Sequence, residues 1–353
     1  MIIISAFLNV LNNIWPYAVA VVLFLLLIII HEFGHFIAAK LLGVRVNEFA
    51  IGFGPKLFKW GKGETKYAVN LIPLGGYCAM EGEDETSSDE RAFCNKKPWR
   101  RFLIVVMGAL FNLLLGLILI SVTLIPQKQF ATTTVDVFHE NAVSQNYGLK
   151  EGDKIIAVDG RKIFTTYDLS YAFSNVDDGA IDITVRRGGE KVQLNGVKFA
   201  SEKIDDINYL TVDFYVKAQK KTVTSFISQT FKTTLSNCVV VYRSLIDLIT
   251  GRYGISAMSG PVGVTAVIGN AARENLLNII PIMALITINL GLFNLLPIPA
   301  LDGGRLVFIL FEMIFRKKVP QKYEAAVHAV GMALLLLLMA VVSFKDIWML
   351  ITG

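Results

Sequence analysis

An apolar run near the start of the chain is interrupted by a cluster of ionisable residues. Residues 18–30 carry no charge, and His31, Glu32 and His35 follow before the apolar pattern resumes. In a helix, residues four positions apart share a face, so both histidines can bind one metal ion while Glu32 lies beside it as a general base. Ionisable groups at membrane depth are unfavourable and indicate a functional site. The motif predicts metal-dependent peptide hydrolysis inside a bilayer.

The composition excludes an ordinary soluble domain. Hydrophobic residues make up 54% of the chain and charged residues only 18%, which indicates several membrane spans plus a soluble part. The net charge of +5 is modest and no nucleic-acid-binding motif is present, so we expect no nucleic-acid partner. The three cysteines, Cys78, Cys94 and Cys238, lack the spacing of a disulfide framework or a zinc ribbon and are expected to be free thiols.

Four segments are long and apolar enough to cross a bilayer, which needs about 20 residues. They predict a polytopic α-helical membrane protein with four transmembrane helices. The segments cover residues 17–39, 102–125, 276–301 and 325–344. Because no Lys or Arg precedes Lys40, we expect the first segment to be a retained span and not a cleaved signal peptide.

The basic residues predict the orientation of these spans. Eleven Lys and Arg residues lie within residues 40–101, and four more lie within residues 316–322. Cytoplasmic loops carry an excess of Lys and Arg, so we expect both regions in the cytoplasm and residues 127–275 and both termini outside. The histidines precede Lys40 by five and nine residues. At 1.5 Å per residue, the metal would lie roughly 8–14 Å below the cytoplasmic boundary.

The regions between the spans predict β structure. Residues 45–55 and 66–73 alternate polar and apolar side chains and predict a cytoplasmic β-hairpin within the loop of residues 43–80. Further strands are predicted in a small extracytoplasmic domain, and a helix is predicted to start near residue 168, capped by Thr166 or Asp168. The strands of this domain cover residues 133–138, 154–158, 181–186 and 192–199, and Gly188 and Gly189 form a hairpin turn.

The predicted spans and strands divide the chain into four parts. A membrane core with spans one and two is followed by a β-rich domain, an amphipathic and interfacial helical region, and a membrane core with spans three and four. The four parts cover residues 1–126, 127–220, 221–275 and 276–353.

Asp302 is the candidate third ligand, because a catalytic zinc needs three protein ligands and an open position for water. Pro297 and Pro299 prevent a regular helix before it, and Gly303 and Gly304 permit an unwound backbone after it. We therefore expect the third span to be broken where Asp302 points at the metal, with a helix resuming over residues 306–315. The alternative is that Asp302 caps that helix and the two histidines are hydrogen-bonded core residues.

Paired motifs identify a family resemblance. HEFGH at residues 31–35 and NLLPIPALDGG at residues 294–304 resemble the site-two protease family of intramembrane zinc metalloproteases, of the bacterial regulator-of-sigma-E protease type. Three shorter segments match as well, and a fourth is similar to the core of that family's PDZ domain. The three segments are residues 52–55, 71–77 and 259–263, and the PDZ-like segment is residues 142–161.

The resemblance implies the roles of the site residues. His31, His35 and Asp302 would bind Zn2+, Glu32 would be the catalytic acid and base, and Asn294 would help to hold the substrate backbone. The hairpin of residues 45–77 would pair with an unwound substrate strand. Two features depart from many relatives: only one PDZ domain fits here, and the motif at residues 108–112 lacks the proline of the usual Gly-Pro-x-x-Asn.

The resemblance also implies the substrates and the location. We expect a multi-pass protein of the bacterial inner (plasma) membrane, in contact with membrane lipid, that acts in regulated intramembrane proteolysis. Its substrates would be single-pass transmembrane proteins, such as anti-sigma factors already trimmed by a site-one protease, or remnant signal peptides. A protease-dead scaffold that binds partners through the PDZ domain, and a metal transporter, are the alternatives. His139 and His328 are expected to be structural.

Overall fold

The structure is a computed structural model that describes residues 2–83, 85–174, 176, 179–204, 207–252 and 258–352. The chain divides into two compact units, residues 1–119 with 246–353, and residues 120–245. The helices in the described residues are α1 Ile2–Leu41, α2 Pro98–Leu124, α3 Thr166–Phe173, α4 Val223–Ile249, α5 Pro261–Glu274, α6 Ile279–Leu295, α7 Asp302–Phe315 and α8 Gln321–Thr352. The strands are β1 Val46–Trp60, β2 Lys66–Met80, β3 Gln129–Phe138, β4 Lys154–Val158, β5 Arg161–Lys162, β6 Ala180–Arg187, β7 Glu190–Lys198, β8 Ala200–Ile204, β9 Ile207–Thr211 and β10 Phe214–Lys220.

Within the described residues, four helical segments have the length and hydropathy of membrane spans, in agreement with the predicted number. They are Trp15–Leu41, Pro98–Leu124, Leu276–Leu295 and Gln321–Met349. The third span ends six residues before the predicted boundary at residue 301, because Leu296 takes an extended conformation ahead of Pro297. Helix α7 then begins at Asp302, so the predicted break before this residue is confirmed. The helix resumes four residues earlier than predicted, because Gly303 and Gly304 are helical and not unwound.

The predicted hairpin is present, but its strands are longer and fold back on themselves. Residues of β1 pair twice with β2; Phe49, for example, pairs with both Tyr67 and Cys78. The two strands therefore make four passes, in which the first part of β1 lies between the two parts of β2. Gly52 and Gly75 have φ angles of 80° and 96°, and they allow the chain to reverse inside the nominal strands. The last part of β2 forms one outer edge of this sheet.

The second unit contains a six-stranded sheet in the order β10-β3-β4-β6-β7, with β5 paired to β4. Strands β3, β4, β6 and β7 confirm the four predicted strands, while β8, β9 and β10 were not predicted. The core is apolar and includes Leu149, Ile155 and Ile183, each no more than 2% exposed. The assignment of this unit as a PDZ domain stays a prediction.

The predicted helix cap in this unit is wrong, by one residue for Thr166 and by three for Asp168. The Thr165 side chain accepts a hydrogen bond from Tyr167 N, and Asp168 occupies the third helical position and bonds back to Thr165 N in a capping box. Both alternatives named from the sequence, Thr166 and Asp168, lie inside α3. Helix α4 confirms the helical stretch predicted after the sheet, and the three cysteines are free thiols.

Candidate active site

Three side chains from distant parts of the sequence meet at one point in the first unit. Asp302 Oδ2 lies 3.0 Å from His31 Nε2 and 3.1 Å from His35 Nε2, and the two imidazole nitrogens are 3.2 Å apart. Both histidines are 7% exposed. They lie on one face of α1, and Asp302 is the first residue of α7. The structure therefore brings together the three residues that the sequence selected as metal ligands.

The three ligand atoms fit a zinc ion. They form a nearly equilateral triangle with edges of 3.0 to 3.2 Å. Tetrahedral zinc with bonds of about 2.0–2.2 Å requires ligand atoms about 3.3–3.6 Å apart, slightly more than the edges of this triangle. Asp302 Oδ2 is buried and accepts no hydrogen bond within the described part of the chain, which is what an oxygen reserved for a metal would show. The capping alternative does not match, because Leu301 is the N-cap of α7 and no side chain caps this helix.

Groups behind the histidines hold their rings in place. His35 Nδ1 lies 2.9 Å from the carbonyl oxygen of Ile104 and donates a hydrogen bond to it, so Nε2 keeps its lone pair for a metal. The amide of Asn112 lies 3.2 Å from His31 Nδ1, and Asn112 is fully buried. The amide nitrogen Nδ2 is the atom placed there, and the buried Oδ1 accepts no hydrogen bond from the described residues. Exchange of these two amide atoms lets Oδ1 accept from His31 Nδ1–H, which selects the same tautomer as in His35.

Two glycines, to which the sequence motifs assigned no role of their own, allow α1 and α2 to come together at the site. A Cβ atom at Gly108 would overlap the His35 imidazole and lie 2.8 Å from His31 Cε1. A Cβ atom at Gly34 would overlap the carbonyl group of Met107. Small residues permit close helix packing in membranes. The glycines in the first two spans were therefore the sequence signal for a close contact between α1 and α2.

The broken segment between α6 and α7 is held by α8. Ala300 has a φ angle of +78°, a conformation that is unfavourable for alanine. Its N–H donates to His328 Nδ1 at 3.1 Å, which supports the structural role expected for His328. A Cβ atom at Gly304 would lie 2.6 Å from the carbonyl oxygen of Ile298, so the first turn of α7 packs directly on this segment. These contacts fix the segment that precedes Asp302 and so hold its carboxylate beside His31 and His35.

Asn294 lies at the end of α6, beside the proposed ligands. Its side-chain nitrogen is 3.5 Å from both ring nitrogens of His31. The residue is partly exposed, so its amide is available to a substrate. Its role in substrate binding stays a prediction. The remaining histidine of the sequence analysis, His139, packs edge-on against Tyr215 in the second unit, in keeping with a structural role.

A cavity of about 380 Å³ adjoins two of the three proposed ligands, His35 and Asp302. Glu32 lines it together with the last part of β2, and a Cβ at Gly76 would lie 3.6 Å from Glu32 Cγ. Arg305, one turn after Asp302, forms an ion pair across the cavity wall with Glu83. The complete lining is Glu32, His35, Tyr77, Cys78, Ala79, Met80, Glu83, Val105, Asp302 and Arg305.

Tyr77 is a poor candidate for proton transfer in this cavity. Its hydroxyl donates to Glu48 Oε1 at 2.6 Å, and burial together with this hydrogen bond raises the pKa of Tyr77. Burial also disfavours the ionised form of Glu48, but hydrogen bonds from Lys56 and Tyr77 outweigh it and hold the pKa of Glu48 below its ordinary value. Tyr77 is thus a protonated group whose proton is already donated to Glu48. The candidate for proton transfer in this cavity is Glu32, the carboxylate next to the histidines.

Comparisons with known proteins give one consistent result. The sequence pattern of peptidase family M50 matches residues 19–338. A protein of Clostridium perfringens, named "putative zinc metalloprotease", is 37% identical over 93% of this chain and 97% of its own length. A protein of Fusobacterium nucleatum with the same description is 32% identical over 95% of this chain and 99% of its own length. A third, from Staphylococcus aureus, is 28% identical over 93% of this chain and 96% of its own length.

Proposed function

Because the chain belongs to peptidase family M50 and is a zinc metalloprotease with four membrane helices, we propose that it cleaves transmembrane segments of single-pass membrane proteins. One observation carries the proposal. The triangle of His31, His35 and Asp302 lies in a helix with the length and hydropathy of a membrane span and at the end of a broken one, so the scissile bond has to reach that depth.

The residues around the triangle have separable roles in hydrolysis. His31, His35 and Asp302 would hold the zinc, which when bound would supply Lewis acidity and lower the pKa of a water to about 7. Glu32 accepts the proton of the attacking water and delivers it to the leaving amine. Ile104 and Asn112 fix the imidazole orientations, so the ligand atoms need not rearrange during turnover. Asn294 donates its amide to a substrate carbonyl.

The sheet edge beside the cavity is the proposed binding site for the unwound substrate segment. The last part of β2 lines the cavity, and no other strand of the described residues pairs with its outer side. A helical substrate hides its amides in its own hydrogen bonds and has to unwind before it can be cleaved. Addition of the unwound segment to this edge would replace those bonds, as in other strand-addition complexes.

The orientation and the partners belong to the same proposal. The basic residues within 40–101 support a cytoplasmic hairpin, and the β-rich unit would then act as an extracytoplasmic PDZ domain. In the bacterial plasma membrane, the substrates would be anti-sigma-factor-like proteins first trimmed by a site-one protease, or remnant signal peptides. The reaction would thus be a step of regulated intramembrane proteolysis.

Metal analysis combined with a Glu32→Gln variant tests the proposal. Purified wild-type protein should contain about one zinc per chain, and Glu32→Gln should retain it while losing turnover by several orders of magnitude. Membrane proteomics should then find full-length single-pass proteins or signal-peptide remnants that accumulate with Glu32→Gln. Glu64→Gln is the matched control, because Glu64 pairs with Lys40 and Arg91 away from the cavity lining. Normal membrane profiles in the Glu32→Gln cells would instead favour the scaffold alternative.

A further inference from the structure

Helix α4 has its polarity reversed relative to an ordinary surface helix. Three of its Ser and Thr residues face the protein: Ser225, Thr230 and Ser236 are each no more than 6% exposed. Large apolar side chains face away from it. They are Val223 (78% exposed), Ile227 (51%), Phe231 (60%), Leu235 (47%) and Tyr242 (60%). At 3.6 residues per turn, these five positions span an arc of about 120°, which makes one continuous apolar stripe.

The protein-facing side of α4 makes polar contacts with the β-rich part of the second unit, residues 129–220, called the sheet domain below. These contacts prevent a rotation of the helix about its axis that would bury the apolar stripe. Ser236 Oγ lies 2.9 Å from Thr165 Oγ1, the residue that caps α3. Arg243 donates to the carbonyl oxygen of Lys162 at 3.2 Å, and Ser244 donates to the Tyr171 hydroxyl at 3.2 Å. The orientation with the apolar stripe outward is therefore the one that the fold specifies.

The start of α4 is tied to the end of a membrane span. Lys221 Nζ donates to the carbonyl oxygens of Leu124 and Ile125, at 3.2 Å and 2.5 Å, and these residues terminate α2. The carbonyls at the end of a span lie where the hydrocarbon core gives way to the headgroups. The first turn of α4 is thereby placed at the membrane surface, and its apolar stripe begins there.

The charge around α4 matches a lipid surface. Residues 217–252 contain six Lys or Arg residues and one acidic residue. Helices that lie in the interface of an anionic bilayer combine an apolar face with flanking basic residues in this way. A docking site for a second protein would not need this excess of positive charge next to the end of a span.

We propose that the apolar stripe of α4 lies in the interface of a bilayer that contains anionic lipids, and that α4 thereby holds the sheet domain against the membrane surface. The helix of 27 residues is about 40 Å long, so the contact extends well beyond the point where the chain leaves the membrane. This inference concerns lipid contact alone and does not depend on the substrate or on the direction in which the protein is inserted.

Two adjacent positions on α4 provide the test. Phe231 lies in the stripe, whereas Lys232 is exposed but lies outside it. A cysteine is placed at either position in the full-length protein, with Cys78, Cys94 and Cys238 replaced by serine, and is labelled with a nitroxide in lipid nanodiscs. We expect the label at residue 231 to be accessible to lipid-soluble oxygen and shielded from a water-soluble nickel complex. The label at residue 232 should show the opposite pattern.

The lipid composition supplies a second readout. The contrast between residues 231 and 232 should strengthen in nanodiscs with anionic lipid and weaken in zwitterionic ones at raised salt. Equal exposure of both labels to the nickel complex would overturn the proposal. Dipolar broadening between labels at residue 231 of two chains, with no access to oxygen, would also overturn it, because the stripe would then bind a second copy.

Discussion

Gly108 of α2 lies directly against the imidazole of His35, so that no Cβ atom fits between this helix and the metal-binding face of α1. Glycine at residue 108 is thus part of the site although it has no functional group. Ala109 stands where the usual family motif has proline, and α1 and α2 nevertheless approach closely beside it, at Gly108.

A Gly108→Ala variant should displace both histidines and weaken zinc binding, because its methyl group would overlap His35 and crowd His31. We expect a loss of at least about tenfold in zinc affinity, in the range seen when ligand orientation is disturbed. Isothermal titration of the metal-free protein measures it. Gly63→Ala serves as the control, since nothing lies within 4 Å of a Cβ there. Equal zinc affinity in the two variants would contradict the steric argument.

Substitution of Asn112 should separate ring orientation from metal binding. Asn112→Leu removes the group that holds His31 Nδ1, so zinc affinity should fall by about 10–100-fold. Asn112→Asp keeps an acceptor for the ring N–H and should retain most of the affinity. If Leu and Asp at residue 112 reduce zinc binding equally, Asn112 acts through packing and not through the hydrogen bond.

Cysteine labelling can determine the orientation in the membrane. Cys94 follows the hairpin in the basic region, and it should react with an impermeant thiol reagent only from the cytoplasmic side. A cysteine introduced at Asp159, in the sheet domain, should react only from outside. Both measurements use a background without the other cysteines. The reverse pattern would invert the proposed topology.

The sheet domain should act on access to the site and not on the chemistry. The chain enters and leaves this domain at neighbouring points, since Gln129 of β3 pairs with Lys220 of β10, so a short linker can replace residues 130–219. The zinc content should stay unchanged, because the proposed ligands lie in the other unit. Untrimmed substrates should now be cleaved, because a size filter assigns their exclusion to this domain of about 90 residues, with a radius of gyration near 12 Å.

A cleavage assay with full-length and pre-trimmed forms of one substrate decides this point. Cleavage of both forms by the shortened protein would support a size filter. Loss of activity on the trimmed form, with zinc still bound, would instead indicate that the domain recognises the substrate directly.

Local sequence determined much of this protein. The four spans follow from runs of about 20 apolar residues, because such runs have to leave water whatever their neighbours are. His31 and His35 share a face because they are four residues apart in a helix. The break before Asp302 follows from Pro297 and Pro299, whose rings restrict the backbone locally. Four strands of the second unit, β3, β4, β6 and β7, follow from their alternating side chains.

Only the tertiary structure decided which distant residues complete the site. Asn112 reaches His31, Gly108 makes room for His35, and His328 binds the backbone of Ala300. These contacts depend on how α1, α2 and α8 pack, and side-chain pattern along one segment carries no information about its partner. The four passes made by β1 and β2 depend likewise on non-local pairing, since the turn at Gly52 lies inside a segment that alternates as a strand and the turn at Gly75 lies just beyond the second such segment. The sequence therefore predicts the ligands, whereas helix and sheet packing determines how they are held.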